Sequence, residues 1–379
     1  MPFFALFLCL LCLAGLVYQL AAAFLLDRFM RTKPGAPPQA RPPISILKPL
    51  CGDEPGLLAN LESLCHQDYP GLQLICGVAD PEDPAGAVVR ALQSRWPQAD
   101  ITLVIDPRRH GCNLKVGNLL NMIEQVKHPV VAIADSDVFA YPGYLDDLAA
   151  GLADPQTGLV TSLYIGRPQR GLWSRLGALA INHGFLPSAL VARALGRRDG
   201  CFGATMALRH DVLTRIGGLS PLANVLADDW ALGAAVRRAG LAIAVAARPV
   251  DLSVEEADLS SLLAHEIRWG RTIAAVDRPA YMASVITQPV ALSGLALLLG
   301  GLTYIWLPLL AVAVRLAVVR AEERVLRLEK CPFWLLLLRE VLNFFVFVAA
   351  CGGRSVWWRG NRFRVRRDGT LEVLEGKSA

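Results

Sequence analysis

The feature that most constrains the fold is an almost uninterrupted apolar run at residues 3–26. A helix of this length can cross the hydrocarbon core of a bilayer, which is roughly 30 Å thick. Small residues at 21–23 would also suit cleavage of a signal peptide, but the run lacks a basic n-region and is long for such a signal. Arg28, Arg31 and Lys33 follow directly. The positive-inside tendency therefore predicts a transmembrane anchor with the downstream chain in the cytoplasm.

Two further apolar stretches, at residues 288–314 and 333–350, are also long enough to span a membrane. Composition agrees, because 54% of the chain is hydrophobic and only 19% is charged, which is unusually apolar for a soluble enzyme. Adjacent opposite charges, Arg339 and Glu340, interrupt the second stretch. An interhelical contact, a tilted or interfacial helix, and a functional site all remain open for this pair, with a structural role favoured.

The direction of these spans depends on the basic residues around them. Three spans would bring the tail to the cytoplasmic headgroup level but would leave an equally basic connector outside. A break at Gly300 and Gly301 would instead form a short hairpin and bring the connector inside. The tail residues are Arg354, Trp357, Trp358, Arg359, Arg362, Phe363, Arg364, Arg366 and Arg367. The connector residues are Arg315, Arg320, Arg324, Arg327 and Lys330.

Charge and cysteine content exclude other classes. The net charge of +5 is modest, and no face interleaves basic and aromatic residues, so a nucleic-acid partner is not expected. The nine cysteines are scattered, and the only close pair, Cys9 and Cys12, lies inside the first apolar run. This pattern predicts a reducing compartment with neither disulfides nor a zinc site.

A Pro-rich stretch at 33–43 predicts a stiff spacer between the anchor and a folded domain. Between 44 and 278, short apolar runs alternate with amphipathic stretches, as in a mostly parallel sheet with crossover helices. The chain is therefore predicted to contain an α/β nucleotide-binding domain. The expected strands are 44–48, 72–79, 101–105, 130–134, 159–164 and 203–208, and the expected helices are 57–66, 85–95, 115–126 and 230–239.

Two carboxylates, Asp135 and Asp137, follow the apolar strand 130–134. Alternation along an extended chain would point both to the same side, where hard oxygen ligands can share Mg²⁺ or Mn²⁺ with a diphosphate. Open α/β sheets bind their ligands at this end of the strands. A pair of turn-forming or helix-capping aspartates is the competing explanation.

A second acidic pair, Asp228 and Asp229, opens a helical stretch. A helix cap accounts well for Asp228 and less well for Asp229, which is a candidate general base. Further on, His265, Arg268 and Trp269 recur at helical spacing just before the second membrane segment. Arg268 and Trp269 could serve as anchors at the membrane interface. The functional alternative is a clamp, in which Arg268 contacts a leaving diphosphate and Trp269 lies under the acceptor.

Three other residues are candidates for donor binding. Asp80 ends the second predicted strand, where it could accept hydrogen bonds from a nucleobase or simply form a turn. Lys115 and Asn118 lie on the helix after 108–111 and are candidates to approach the phosphates. A solvated helix charge is the more common role for a residue such as Lys115.

In order and spacing, these motifs resemble the processive-type inverting glycosyltransferases, which carry a D, D-x-D, (E/D)D and (Q/R)xxRW series. Within them, the chain is most similar to ceramide glucosyltransferase and its bacterial relatives, including the hopanoid-biosynthesis glycosyltransferase. The resemblance extends from about Ile44 to Gly369. The residues that carry it are 44–50, 60–62, 68–70, Asp80, Lys115, Asn118, Asp135-Ser-Asp137, 203–206, Asp228-Asp229, Arg268-Trp269 and 358–364.

This resemblance implies a GT-A-type domain that moves a hexose, glucose or N-acetylglucosamine, from a UDP-sugar to a lipid hydroxyl with inversion. The acceptor would be ceramide or a hopanoid polyol, and the product a β-linked glycolipid. It also implies that Asp80 contacts the uracil, that Asp135 and Asp137 serve ribose and a Mg²⁺ or Mn²⁺ ion, that Asp229 is the base, and that the Arg-Trp element lies at the acceptor site.

The chain departs from the family pattern at two places and adds one residue of interest. His265 replaces the usual Gln or Arg, and Asp228 stands where Glu is commoner. His183, in the amphipathic stretch 173–196, lies where the ceramide enzyme also has a histidine, which makes it a weak donor-binding candidate. That stretch is predicted either to lie in the membrane interface or to be buried in the core.

The predicted organisation is an anchor (1–32), a linker (33–43), a catalytic domain (44–280), C-terminal transmembrane segments (281–352) and a basic cytoplasmic tail (353–379). A multi-pass protein of the bacterial inner membrane is expected, with its catalytic domain in the cytoplasm. The alternatives are a polysaccharide synthase with the same chemistry, for which the predicted spans are few, and a non-catalytic membrane adaptor, which the intact acidic series argues against.

Overall fold

The computed structural model describes residues 2–32, 40–353, 355–358, 361–366 and 369–375. Most of the predicted linker, and Arg354, Arg359 and Arg367 of the tail, lie outside these residues.

The helices are α1 (Pro2–Arg31), α2 (Leu57–Cys65), α3 (Pro84–Arg95), α4 (Leu114–Met122), α5 (Tyr144–Leu152), α6 (Gly171–Ala180), α7 (Leu186–Ala194), α8 (His210–Arg215), α9 (Asp228–Arg238), α10 (Leu259–Val276), α11 (Arg278–Ala283), α12 (Pro289–Gly300), α13 (Trp306–Leu326) and α14 (Phe333–Cys351). The strands are β1 (Ile44–Pro49), β2 (Leu72–Val78), β3 (Asp100–Ile105), β4 (Val130–Ala134), β5 (Val138–Phe139), β6 (Thr157–Thr161), β7 (Tyr164–Pro168), β8 (Thr205–Arg209), β9 (Ala242–Val245), β10 (Val250–Val254), β11 (Ser355–Trp358), β12 (Asn361–Val365) and β13 (Leu371–Glu375).

The chain forms two compact units. The sheet unit comprises Lys33–Gln169 and Gly196–Glu255, and the helical unit comprises Met1–Thr32, Arg170–Leu195 and Glu256–Ala379. The catalytic domain was predicted to run continuously over 44–280. By packing, however, its 170–195 and 256–280 segments belong with the apolar helices, which sequence periodicity does not reveal.

The sheet unit is built on a seven-stranded sheet in the order β3-β2-β1-β4-β8-β6-β9. Strands β1 to β4 pair in parallel, and β8 runs antiparallel between β4 and β6. All five residues of β4 are buried, as expected for a valine- and isoleucine-rich strand covered on both faces. A smaller sheet, β5-β10-β7, completes the unit. The α/β prediction is confirmed, although the expected strand 159–164 is two strands, β6 and β7.

Helix starts in the sheet unit follow local capping chemistry. The Asp83 carboxylate accepts a hydrogen bond from Ala85 N, and Pro84 occupies the first turn of α3, where it has no hydrogen bond to lose. The Asn113 side chain caps α4 by accepting from Val116 N at 3.1 Å. These caps orient the helices that follow β2 and β3.

Three helices of the helical unit are long and apolar enough to cross a membrane: Phe3–Arg31, Leu302–Leu326 and Phe333–Cys351. A bent pair, Arg278–Thr287 with Pro289–Gly300, raises the number to four if it counts as one span. The chain does break after Gly300, because Gly301 has a positive φ of 73°. Beyond the break, α13 continues to Leu326, so most of the basic connector is helical rather than a loop.

The charges inside these helices form interhelical ion pairs. Arg315 Nε donates to Glu340 Oε1 at 2.8 Å, and Arg339 donates to both carboxylate oxygens of Glu266 at 2.7 Å. Among the explanations left open for Arg339 and Glu340, the interhelical contact is therefore the one observed. Helices α10, α13 and α14 each contribute to these pairs.

Candidate active site

The D-x-D residues form a tight turn at the carboxyl end of β4. Val138 N donates to Asp135 O at 3.2 Å, which closes the turn that leads into β5. The expected alternation along an extended strand is therefore wrong, since the strand ends at Ala134. The two carboxylates are nevertheless close enough that the charge of Asp135 raises the pKa of Asp137.

Lys115 connects the two acidic motifs. Its Nζ lies 2.6 Å from Asp135 Oδ1 and 3.6 Å from Asp228 Oδ2. Burial opposes its positive charge, but Asp135 and Asp228 outweigh burial and raise the pKa of Lys115 above its usual value. Lys115 is thus a partly buried cation between carboxylates, rather than a solvated charge on a helix.

The start of α4 is tied to the start of α9. Asn113 Nδ2 donates to Val225 O at 2.7 Å and lies 3.5 Å from Asp228 Oδ1. Because Asn113 also caps the helix that carries Lys115, one residue positions both the lysine and the second acidic pair.

Asp229 has the properties of a general base. Burial, followed by the neighbouring charge of Asp228, raises the pKa of Asp229 to about 6. Trp230 N donates to Asp229 Oδ1 at 2.7 Å, which fixes the carboxylate. Gly203 packs against it, because a Cβ at this glycine would lie 3.3 Å from Asp229 Oδ2. A carboxylate with a pKa near 6 is a stronger base than an exposed aspartate and is still ionised at neutral pH.

Asp137 is the carboxylate that best fits a cation. Burial, followed by the charges of Asp135 and Glu54, raises its pKa to about 8. Its Oδ1 is buried and has no hydrogen-bond partner in the described chain. No group of three or more metal-ligating side chains occurs among the residues that the structure describes. Asp135 and Asp137 would offer a hard divalent ion two carboxylate ligands.

Two residues of this site were not predicted. Lys48 is fully buried at the end of β1, and its Nζ donates to Asp135 O at 2.7 Å and Val138 O at 3.2 Å, which braces the D-x-D turn. Burial lowers its pKa to about 8. Tyr164, at the start of β7, is close enough to Asp229, Asp137 and Asp135 that burial and these charges raise its pKa. A lysine inside an apolar strand was the available signal for Lys48.

The remaining donor-binding candidates have local contacts. Asp80 is exposed just beyond β2 and accepts a hydrogen bond from Glu82 N at 2.9 Å, as a turn residue does. Asn118 Nδ2 donates to Gly77 O at 2.7 Å, so it holds the end of β2. Their contacts with a nucleotide stay predictions. Because β1, β2 and β4 are parallel, Asp80 and the D-x-D turn follow strands that end at the same edge of the sheet.

The His265, Arg268 and Trp269 element lies on α10, in the helical unit. His265 Nδ1 is 2.8 Å from Glu256 Oε1, and its ring packs edge-on against Trp269 with centroids 4.4 Å apart. The histidine that replaces the usual Gln or Arg is therefore oriented by a carboxylate.

His183 also belongs to the helical unit, on a π-helical turn, Ile181–Phe185. Its Nδ1 is 2.7 Å from Glu322 Oε2, and both side chains are buried. The sequence predicted donor binding for His183. Its observed partner is a carboxylate of α13, in a different unit from the D-x-D turn.

Comparison with known proteins decides the family. The model of Glycosyl transferase family 21 matches residues 7–371. The chain belongs to glycosyl transferase family 21. This family 21 chain is similar to Ceramide glucosyltransferase 1 of Caenorhabditis elegans, at 24% identity over 350 residues, covering 89% of this chain and 74% of the relative. Ceramide glucosyltransferase 3 of the same organism is 23% identical, with coverage of 87% and 74%.

Among solved structures, the family 21 chain is similar to the mannosyltransferase PcManGT from Pyrobaculum calidifontis, solved with GDP-Man and Mn²⁺. The TM-score is 0.52 at 18% identity, covering 91% of this chain and 97% of the other. This similarity confirms the predicted GT-A fold, and the family match confirms the resemblance to ceramide glucosyltransferase. The family 21 chain is therefore a glycosyltransferase with helices suited to a membrane.

Proposed function

We propose that this enzyme transfers a hexose from a UDP-sugar to a hydroxyl of a membrane lipid, with inversion at the anomeric carbon. The observation that carries the proposal is the partly buried cluster in which Lys115 contacts both acidic motifs while Asp137 and Asp229 have raised pKa values. Such a cluster combines a cation-binding carboxylate with a basic carboxylate, the two functions that glycosyl transfer from a nucleotide sugar requires.

Asp135 and Asp137 would hold a Mg²⁺ or Mn²⁺ ion, which would neutralise charge on the donor diphosphate when bound. The buried and unpartnered Asp137 Oδ1 supports this assignment. Lys115 would hold Asp135 and Asp228 together through its contacts with both carboxylates and would add a fixed positive charge near the diphosphate. Asp80 would contact the uracil, as the family resemblance implies.

In this proposal, Asp229 removes the proton from the acceptor hydroxyl as that oxygen attacks the anomeric carbon. The new C–O bond forms while the bond to the diphosphate oxygen breaks, so UDP leaves with the bonding electrons. The proton stays on Asp229 until it passes to solvent. A single displacement of this kind inverts the configuration and gives a β-linked product from an α-linked donor.

Two lines of support favour a lipid acceptor. The two C. elegans relatives are named as ceramide glucosyltransferases, and the helical unit contains three helices long and apolar enough to cross a membrane. We infer that ceramide or a hopanoid polyol is the acceptor, that glucose or N-acetylglucosamine is transferred, and that Arg268 and Trp269 border the acceptor site. The sheet unit would face the cytoplasm of a bacterial inner membrane.

The test is incubation of the membrane-bound enzyme with a panel of UDP-sugars and lipid acceptors, followed by mass spectrometry of the lipid extract. A lipid heavier by one hexose, with a β linkage by NMR, is the expected result. Radiolabelled polymer in place of glycolipid would favour a polysaccharide synthase. Donor that is neither transferred nor hydrolysed with any lipid would contradict enzymatic function.

A further inference from the structure

A small basic cavity lies where α13 meets the loop that leads to α14. Its volume is about 170 Å³, and it is lined by Arg320, Glu323, Arg324, Leu328 and Lys330. Three cations and one carboxylate give the lining a net charge of +2. At roughly 30 Å³ per molecule, the space equals that of about five or six waters.

The carboxylate that lines this cavity, Glu323, already accepts two hydrogen bonds from the protein. Glu323 Oε2 accepts from Arg320 Nη1 at 2.6 Å, and Glu323 Oε1 accepts from Cys331 N at 2.6 Å. Arg320 Nη2 donates in turn to Cys331 O at 2.7 Å. Neither Arg324 nor Lys330 has a carboxylate within ion-pair distance in the described ranges. The positive charges of these two residues are therefore available to a ligand.

The backbone builds this arrangement. Arg327 ends α13 in the left-handed region, with φ 53°, and Leu328 N donates to Glu323 O at 2.8 Å. This turn brings the chain back across the end of the helix, so that Lys330 lines the same cavity as Arg324. Arg327 and Glu329, the other charged residues of the loop, do not line the cavity and are opposite in sign.

The negative end of the α13 dipole lies near this cavity and accounts for only part of the positive charge that lines it. A helix C-terminus carries about half of one negative charge and attracts a nearby cation. One arginine is sufficient for that purpose, whereas the cavity has two uncompensated cations in addition to the Arg320–Glu323 pair. Arg324 and Lys330 are both exposed, so a ligand can reach them from solvent, and an anion is the ligand that their charges favour.

The location indicates the source of the anion. The cavity lies between two candidate spans, Leu302–Leu326 and Phe333–Cys351. The second span begins with two exposed aromatic residues, Phe333 and Trp334, at 47% and 57% exposure. Aromatic side chains at the ends of spans are typical of the headgroup level of a bilayer, where basic pockets between helices bind lipid phosphates.

We propose that this cavity is a binding site for a phosphate group, in which Arg324 and Lys330 contact the phosphate oxygens beside the fixed Arg320–Glu323 pair. The phosphate belongs either to an anionic phospholipid or to free phosphate. The site is separate from the D-x-D residues and does not depend on the proposed function.

The test uses the full chain in phosphatidylcholine nanodiscs and measures the unfolding temperature. One arm adds increasing fractions of phosphatidylglycerol, and the other adds inorganic phosphate at constant ionic strength. Because each basic residue near a lipid surface strengthens binding several-fold, the variant with Arg324→Gln and Lys330→Gln should require roughly tenfold more ligand, or more, for the same stabilisation. Native mass spectrometry should show fewer retained phosphatidylglycerol molecules for this variant.

Two controls keep the test decisive. The Arg90→Gln and Arg238→Gln variant removes the same charge from exposed positions of the sheet unit and should respond like the wild type. The exchange variant, Arg324→Lys with Lys330→Arg, preserves both charges and should also respond, even if the glutamine variant does not fold. A response confined to the phosphatidylglycerol arm identifies a lipid site, and a response to both identifies a free-phosphate site. Equal stabilisation of the glutamine variant and its control, or no stabilisation in either arm, overturns the proposal.

Discussion

The charges around the D-x-D turn of the sheet unit are only partly compensated, whereas each buried charged side chain described in the helical unit has its own partner. Around the D-x-D turn, four aspartates share Lys115 and the nearby Lys48, and two of them have raised pKa values. A site with excess negative charge is prepared for a cationic or proton-donating ligand, whereas matched pairs hold helices together. The interhelical ion pairs are Arg315 with Glu340 and Arg339 with Glu266. Arg320 pairs with Glu323 within α13, and the buried Glu322 carboxylate has the His183 ring as its partner.

The largest effect is expected from Asp229→Asn, because removing a general base lowers a rate by about 10²- to 10⁴-fold. The measurement is initial-rate kcat with a saturating UDP-sugar, together with calorimetric binding of UDP, which should stay within about threefold of the wild type because the base does not touch the nucleotide. Asp211→Asn makes the same chemical change at an exposed position and should keep full activity. Near-normal turnover of Asp229→Asn would refute the assignment of the base.

Breaking a matched pair in the helical unit should affect stability. Arg315→Met leaves the Glu340 carboxylate buried without its cation and should cost about 3–5 kcal/mol, or roughly 10 °C in the unfolding temperature. The double variant Arg315→Met with Glu340→Leu should recover most of this loss. Lys127→Met breaks the exposed pair with Asp100 and should change stability by less than about 1 kcal/mol. If the buried and exposed variants behaved alike, the contrast between the units would fail.

The pH dependence follows from the raised pKa of Asp229. Because the base must be ionised, and its folded pKa is about 6 rather than 3.8, kcat/KM should fall about tenfold per pH unit below pH 6. Asp228→Asn removes a negative neighbour and should move this acidic limb to lower pH. An acidic limb near pH 4 in the wild type would show that the pKa of the base is not raised.

A smaller effect, on the unfolding temperature, is expected from Asp137→Asn in metal-free protein. The folded-state pKa of Asp137, about 8, lies above the ordinary value of 3.8, so its stabilising contribution is present at low pH and is lost as pH rises through 8. The asparagine variant should therefore unfold at least about 2 °C higher than the wild type at pH 8, with a smaller difference at pH 5.

Added metal should reverse the order of the two unfolding temperatures. Mn²⁺ should stabilise the wild type more than Asp137→Asn, since only the wild type retains both carboxylates. Removal of metal with excess EDTA should also abolish transfer, and added Mg²⁺ or Mn²⁺ should restore it. Full activity in excess EDTA, or equal Mn²⁺ stabilisation of both proteins, would contradict a metal at this position.

Sequence patterns predicted correctly the features that depend on neighbouring residues, namely buried strands and long apolar helices. Buried strands such as β4 appear as continuous valine, isoleucine and alanine runs, and the long apolar segments correspond to helices suited to a membrane. The motif order located the acidic residues but not their surroundings. The turn at Asp135–Asp137 was missed because strand alternation does not reveal where a strand ends.

The apolar run at residues 3–26, the α/β alternation and the order of the acidic motifs follow from the amino-acid sequence, because hydropathy and periodicity are properties of neighbouring residues. The contact of Lys115 with Asp135 and Asp228, and the fully buried Lys48 beneath the D-x-D turn, depend on the folded chain. These residues are distant in sequence, and the pKa of each carboxylate depends on burial and on charges that only packing brings near. The same reason explains why Arg339 and Glu340, unassigned from sequence, have clear partners once α10, α13 and α14 are packed.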